Sequence, residues 1–260
     1  WGAIARGLPE GAGGAVAGCA RCAVSLPTLI LAAGFGTRMQ PLTLDRPKAL
    51  IEVAGRPLLE HALAPAREMA AAPLAVNGHY RSDAVARYLA THAPEVAFLD
   101  EQPEILDSGG AVKAARAGLG EGARATLNAE AVWAGPNPLA SLIAAWEPER
   151  HGALLLLVEP ERAIGRVGGG DFAMAPEGRL SPDARGLIYT GAQILGPGLG
   201  LDVAQDVFSM LGRCGASGGN CLGRGDAAGG RGGSGCLRPR PAPRARACSP
   251  RRSVWIFPPP

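Results

Sequence analysis

The chain has 260 residues, 47% hydrophobic and 5% aromatic, ample apolar material for one α/β domain. Its formal net charge of +3 is unevenly spread: residues 211–260 carry nine arginines and one acid, whereas residues 1–210 carry 17 Lys+Arg against 22 Asp+Glu. The body is therefore mildly acidic, as suits a soluble cytoplasmic protein. No apolar run reaches the roughly 18 residues that a membrane-spanning helix needs.

Residues 1–26 are Gly/Ala-rich without a clear period, a low-complexity extension. They hold Cys19 and Cys22, while the other four cysteines, Cys214, Cys221, Cys236 and Cys248, lie near the opposite end. A disulfide framework would place cysteines inside the folded body, so none is expected. Cys19-Ala-Arg-Cys22 has CxxC spacing but lacks a second pair or a His cluster, so neither a metal nor a redox site is expected there. Val16-Ala-Gly-Cys19 has the outline of a lipoprotein cleavage box. Pro9 and Glu10 break the apolar stretch that a signal peptide requires. The chain begins with Trp1 rather than Met, as a fragment would.

Residues 27–210 alternate apolar runs with amphipathic stretches. Thr28–Ala33 reads as a buried strand. Pro57 opens a helix to about Met69, at a position where its missing N–H costs nothing. Leu74–Asn77 reads as the next strand. Ser82 is placed as the cap of a helix to about Ala90, with Val85 and Leu89 on its apolar face. Val96–Leu99, Ala125–Asn128, Ala153–Val158, Asp171–Ala175 and Leu187–Leu195 read as strands, and Ala111–Ala117 and Pro138–Trp146 as helices. Strands separated by helices at this spacing predict a largely parallel sheet with helices on both faces. Residues 211–260 are Gly/Arg/Pro-rich and offer no hydrophobic period long enough to build an element.

The sharpest feature is the segment Leu31-Ala-Ala-Gly34-Phe-Gly36-Thr37-Arg38-Met39, followed by Pro41-Leu-Thr43 and Pro47-Lys48-Ala-Leu50. It leaves the carboxyl end of the first strand, where ligands sit in open α/β sheets. Small residues let backbone N–H groups approach phosphate oxygens. Arg38 offers a planar fork for two oxygens, and Lys48 a compact point charge. A dinucleotide fingerprint needs a third Gly where Met39 stands, and no G-x-x-x-x-G-K-[ST] string is present. A dinucleotide-dependent oxidoreductase is disfavoured on that ground.

Residues 29–59, LILAAGFGTRMQPLTLDRPKALIEVAGRPLL, resemble the signature of sugar-1-phosphate nucleotidyltransferases. The resemblance implies an α/β fold of the nucleotide-diphospho-sugar transferase type, a Rossmann-like three-layer domain with a mixed, mostly parallel sheet. It also implies that Ala32, Ala33, Gly34, Gly36 and Thr37 wrap a triphosphate, that Arg38 contacts its phosphates and that Lys48 contacts the reacting one. Ala49 stands where the family usually has Pro. Val76-Asn77-Gly78-His79-Tyr80 resembles the family's segment near the nucleobase. Leu106-Asp107-Ser108-Gly109-Gly110 resembles its Leu-Glu-Thr-Gly-Gly, where the Gly pair lies against the base and the hydroxyl helps hold it.

Leu127-Asn128-Ala129-Glu130 falls where the family has a strand ending in Asn-x-Asp, whose acid coordinates Mg²⁺. Magnesium favours hard oxygens and few protein carboxylates. This chain has Glu130, and the extra methylene moves the carboxylate by roughly 1.5 Å. Gly168-Gly-Gly-Asp171-Phe172 and Tyr189-Thr190-Gly191 resemble sugar-side segments. With Asn128–Trp133 they are most similar to N-acetylmuramate-1-phosphate uridylyltransferases of peptidoglycan recycling. Mannose-1-phosphate guanylyltransferases stay open as an alternative.

The likeness spans residues 27–210 and stops after Asp206-Val-Phe-Ser209. The family's second metal-binding acid, in a Trp-x-Asp-Val-Gly-like segment, has no counterpart; Asp226 is the sole later acid. The composition of 211–260, and of 1–26, is what a GC-rich gene yields in the wrong reading frame, and reading the coding DNA in its other frames tests this. A basic nucleic-acid arm is the alternative for the tail, but its nine arginines have only Trp255 and Phe257 as stacking platforms, so nucleic acid is not an expected partner. The expected partners are UTP or GTP and a sugar 1-phosphate, with Mg²⁺ as cofactor. The oligomeric state is left open. Two readings follow, an active transferase and a nucleotide-binding chain without turnover.

Overall fold

The structure is a computed structural model and describes residues 25–211, 221–225 and 253–256. β1 (Thr28–Leu31) is a short aliphatic run in which Leu29 and Ile30 are wholly buried. A long loop with two 3-10 turns, Thr37–Met39 and Lys48–Leu50, leads to a small hairpin of β2 (Glu52–Val53) and β3 (Arg56–Pro57). Then come α1 (Leu58–Glu68), β4 (Leu74–Gly78), α2 (Ser82–His92), β5 (Ala97–Asp100), α3 (Asp107–Ala114), α4 (Arg116–Leu119) and β6 (Arg124–Asn128). β7 (Ala131–Ala134), α5 (Pro138–Ala145), β8 (Ala153–Val158), β9 (Ala163–Ile164), β10 (Phe172–Met174), β11 (Leu180–Pro182) and β12 (Ile188–Leu195) follow. β13 (Cys221–Gly225) and β14 (Ser253–Ile256) complete the described elements.

The main sheet has the order β13-β8-β12-β6-β1-β4-β5. β4 and β6 flank β1 in parallel, β5 lies parallel to β4, and β12 runs antiparallel between β6 and β8. The sheet is thus mixed and mostly parallel. Because β1 has later strands on both sides, the chain changes winding direction there, which opens a crevice beyond the carboxyl ends of β1, β4 and β6.

Strand alternation sorts the core into two layers. Ile30, Val76, Leu127, Leu154 and Leu156 point to one face, where α1, α2 and α5 cover them with Leu59, Leu63, Val85, Leu89, Leu139 and Leu142. Leu29, Ala75, Leu155 and Leu157 point to the other, where α3 and α4 bring Val112 and Leu119 and the β10/β11 pair brings Phe172 and Leu180. Each fully buried aliphatic side chain of this kind contributes about 1.5–3 kcal/mol. The expected three-layer α/β architecture is therefore present.

Several elements differ from expectation. Ser82 opens α2 but does not cap it: the cap position belongs to Arg81, held in the left-handed region at φ 50 with no side-chain bond to the helix. Pro57 closes β3 and precedes α1 rather than lying in its first turn. The helix expected over Ala111–Ala117 begins earlier, at Asp107, and breaks into α3 and α4. The β2/β3 hairpin and β7 are too short to leave a period in the sequence.

The tail also holds two strands where none was expected. β13 adds in parallel to the edge of β8, and β14 pairs with β7 and β9. Backbone hydrogen bonds to a free strand edge need no side-chain pattern, so composition misses them. Cys19, Cys22 and Asp226 lie outside the described residues.

Candidate active site

A cavity of about 400 Å³ opens at the carboxyl ends of the central strands. Leu31 lines it from the end of β1, Ala33 and Gly34 from the loop that follows, Asn77 from β4, Glu101 from just past β5, Asn128 from the end of β6 and Glu130 from the turn after it. Asp107, Ser108 and Val207 close the side nearest α3.

The loop after β1 is built to stay open beside this cavity. Gly36 takes φ 65, and a Cβ there would stand 2.8 Å from Thr43 Cγ2, so the turn excludes a side chain. The Thr43 hydroxyl donates to Gly36 O at 2.7 Å and Met39 N–H donates to the same carbonyl at 2.8 Å. Met39, in the place of a third glycine, is buried against Ile51, Val53, Leu58 and Val132 and anchors the loop to the hairpin. Tyr80 Oη donates toward Thr43 O and Leu44 O, both at 3.0 Å, and ties the loop to the end of β4. Gly34 meets nothing within 4 Å of its would-be Cβ, so its backbone faces free space.

Lys48, in the second 3-10 turn, lies beside the cavity and outside its lining. Its Nζ is 3.7 Å from Glu130 Oε2. Arg38 and Thr37 are exposed beside the loop, outside the cavity lining.

On the far wall, Asn77 and Glu101 form a buried polar relay. Asn77 Oδ1 accepts from Ala32 N–H at 2.6 Å, and Asn77 Nδ2 donates to Glu101 Oε1 at 2.6 Å. Glu101 Oε2 accepts from Leu106 N–H at 2.9 Å. Asn77 and Glu101 are 3% and 2% exposed, so these bonds are shielded from water. Burial pushes the Glu101 carboxyl above the usual carboxylate range, opposed by the donors from Leu106 and Asn77. The Ala32 amide is engaged by Asn77 rather than free for phosphate, and Asn77 spends both ends of its amide inside the protein. Glu101 was not singled out from the sequence; the available signal was its place at or just past the end of a strand, as for Asn128 and Glu130.

Ser108, Gly109 and Gly110 are also recruited internally. Met210 N–H donates to Ser108 Oγ at 3.0 Å, leaving that hydroxyl a hydrogen to donate. Gly109 N–H donates to Phe208 O at 2.9 Å, and a Cβ on Gly110 would collide with Asp206 O. The glycine pair therefore lets the 206–208 segment pack against α3, which brings Val207 into the cavity wall. It does not offer an open face to a base in this structure; Ser108 lines the cavity and the glycines do not.

Of the sugar-side residues, only Gly191 stands near the cavity. It takes φ 82 within the irregular stretch of β12, and a Cβ there would be 2.8 Å from Asn128 Cβ. Thr190 is 1% exposed and its hydroxyl donates to Leu156 O at 3.0 Å, so it cannot bind sugar in this arrangement. Asp171 is committed as well: Oδ1 accepts from Arg166 Nη2 at 2.7 Å and Oδ2 from Tyr189 N–H at 2.9 Å. Both residues were expected to contact the sugar; a buried strand and a polar anchor occupy them instead.

Glu130 fits a magnesium ion that arrives on a nucleotide. Its carboxylate is 38% exposed, lines the cavity and has Lys48 as its ion-pair neighbour. Among the described residues no cluster of three His, Cys, Asp or Glu could cage an ion. A single hard oxygen with phosphate and water completing the shell is the usual arrangement for Mg²⁺.

A MobA-like NTP transferase domain matches residues 28–177. The chain is 36% identical to the N-acetylmuramate alpha-1-phosphate uridylyltransferase of Caulobacter vibrioides over 194 residues, covering 70% of this chain and 80% of that protein. Identity to the protein of the same name from Neisseria meningitidis serogroup B is 29% over 181 residues, 66% of this chain and 76% of that one. Among solved structures, HddC from Yersinia pseudotuberculosis complexed with GMP-PN shares the fold, with TM-score 0.63 and 20% identity over 77% of this chain and 90% of that chain.

Proposed function

The chain belongs to the MobA-like NTP transferase family, a sugar-1-phosphate nucleotidyltransferase by its relatives, and from that premise we propose that it joins N-acetylmuramate 1-phosphate to UTP, releasing pyrophosphate. The observation that carries the proposal is that Gly34 and Glu130 line one cavity at the switch point of the sheet, with Lys48 paired to Glu130 at its edge. The likeness to two N-acetylmuramate alpha-1-phosphate uridylyltransferases supports the sugar and the base. GTP and a mannose 1-phosphate form the alternative pair.

The chemistry is an in-line displacement. An oxygen of the sugar 1-phosphate attacks the α-phosphorus of UTP. A P–O bond forms as the bond to the β-phosphate bridging oxygen breaks, and pyrophosphate leaves with that electron pair. The attacking phosphate is already ionised at neutral pH, so no general base is required. Positioning and charge neutralisation dominate such transfers.

In this proposal Lys48 neutralises the α-phosphate, and Arg38 with the amides of Ala33 to Thr37 holds the β- and γ-phosphates. Ser108 donates its hydroxyl hydrogen to the base. Glu130 would hold Mg²⁺, which when bound offsets charge on the triphosphate. The reaction draws on cytoplasmic nucleoside triphosphate, and a role in cell-wall sugar recycling goes with the proposal.

The test is incubation of the full chain with Mg²⁺, UTP or GTP, and a panel of sugar 1-phosphates, reading phosphate after pyrophosphatase. Release with UTP and N-acetylmuramate 1-phosphate is expected; silence across the panel overturns the proposal. Glu130 in place of the family's Asp favours a second reading, a nucleotide-binding chain without turnover. UTP binding without pyrophosphate release would select it.

A further inference from the structure

The cavity has two walls that come from distant parts of the chain, and one buried relay joins them. Ala32 lies at the root of the phosphate loop, and Leu106 just before Asp107 and Ser108. Between them stand only the Asn77 amide and the Glu101 carboxylate. We infer that Glu101, acting through Asn77, is a positioning residue that sets the phosphate loop against the base-side wall for nucleotide binding. The inference rests on the proposed nucleotidyl transfer and deepens it.

The polarity of the relay has one solution. Ala32 N–H is a donor, so the Asn77 oxygen must face it, and the Asn77 NH₂ group must then face Glu101. Leu106 N–H is a donor from the other side. Glu101 must therefore accept at both oxygens, which an ionised carboxylate does and a carboxamide cannot. In Glu101→Gln, the new NH₂ group would confront either Asn77 Nδ2 or Leu106 N–H, donor against donor. In Asn77→Asp alone, two carboxylates would meet at the 2.6 Å contact. Making both changes restores the pattern: the introduced aspartate would accept from Ala32 N–H and from the new glutamine NH₂, while the glutamine oxygen would accept from Leu106 N–H. Atom positions are conserved; only the charge moves from one residue to the other.

The main chain around Glu101 does not depend on its side chain. Glu101 N–H donates to Gly78 O at 2.8 Å, and Glu101 O pairs with His79 Nδ1 at 2.7 Å. Single substitutions at the side chain leave these ties to β4 in place. A carboxylate that burial penalises, with His79 and Asp107 acting on it in opposite directions, is a poor choice for stability alone.

Four full-length chains decide the matter: unaltered, Glu101→Gln, Asn77→Asp, and the double variant. UTP and GTP affinity with Mg²⁺ is measured by calorimetry, with the thermal midpoint recorded beside it. Each single change should weaken nucleotide binding by about tenfold or more, and the double variant should return to within about threefold of the unaltered chain. The KM for sugar phosphate should stay constant throughout. Singles that lower the thermal midpoint but keep nucleotide affinity overturn the inference, as does a folded double variant that binds as weakly as either single. Should the unaltered chain bind neither nucleotide, the functional proposal fails and takes this inference with it; if it binds and the variants do not differ, only the inference fails.

Discussion

Lys48 Nζ and Glu130 Oε2 stand 3.7 Å apart, joining the loop after β1 to the turn after β6 at the cavity edge. With side chains 18% and 38% exposed, such a pair adds at most about 1 kcal/mol to stability. Little of the fold's stability therefore rests on this pair. Lys48→Met should leave the thermal midpoint within about 4 °C of the unaltered chain and lower kcat by about a hundredfold or more. Scanning calorimetry and the pyrophosphate assay measure the two quantities. Turnover that survives the substitution would remove Lys48 from the chemistry.

Gly34 separates folding from binding. A Cβ at this position meets nothing within 4 Å, and its φ is not in the left-handed region. Gly34→Ala should therefore fold as well as the unaltered chain. The added methyl occupies the space where a polyphosphate would approach the backbone, so UTP affinity should fall by about tenfold or more. Equal affinity in titration would show that the nucleotide does not pass over this loop.

Thr190 offers the opposite contrast. Its hydroxyl is sealed in the sheet and donates to Leu156 O. Thr190→Val keeps the shape but leaves that carbonyl without its donor, at a cost of about 1 kcal/mol. Denaturant titration should detect the loss, and the KM for sugar phosphate should not move. A rise in that KM with unchanged stability would return Thr190 to the sugar site.

Acid sensitivity should come in part from His151. Its Nδ1 accepts from Glu147 N–H at 3.0 Å, and burial, the largest influence, holds its pKa below the ordinary 6.5. The unfolded chain therefore binds the proton first. The stability that His151 contributes is complete above 6.5 and is lost as pH falls toward the lower folded value. His61, also lowered chiefly by burial, acts in the same direction. The thermal midpoint should drop on acidification, by about 2–4 °C for each kcal/mol lost. His151→Gln should flatten that decline; an unchanged slope would assign it elsewhere.

Much of the molecule could be read from residue order. The apolar runs Ala153–Val158 and Thr28–Ala33 announce buried strands, because a strand covered on both faces needs apolar side chains pointing both ways. The segment from Gly34 to Lys48 raised the expectation of a polyanion site, because small residues and fixed cations are what phosphates require. Local chemistry of this kind is carried by neighbours in sequence. What residue types cannot say is how a polar group spends its bonds. Asn77, Thr190 and Asp171 have the chemistry of ligand contacts, yet each is consumed by a partner 45, 34 or 18 positions away. Glu101 gained its place only when β5 aligned beside β4, and the strands at 221–225 and 253–256 arose only where an edge was free to receive them. Hydrogen bonds form between groups that packing brings together, and packing is settled by the whole chain.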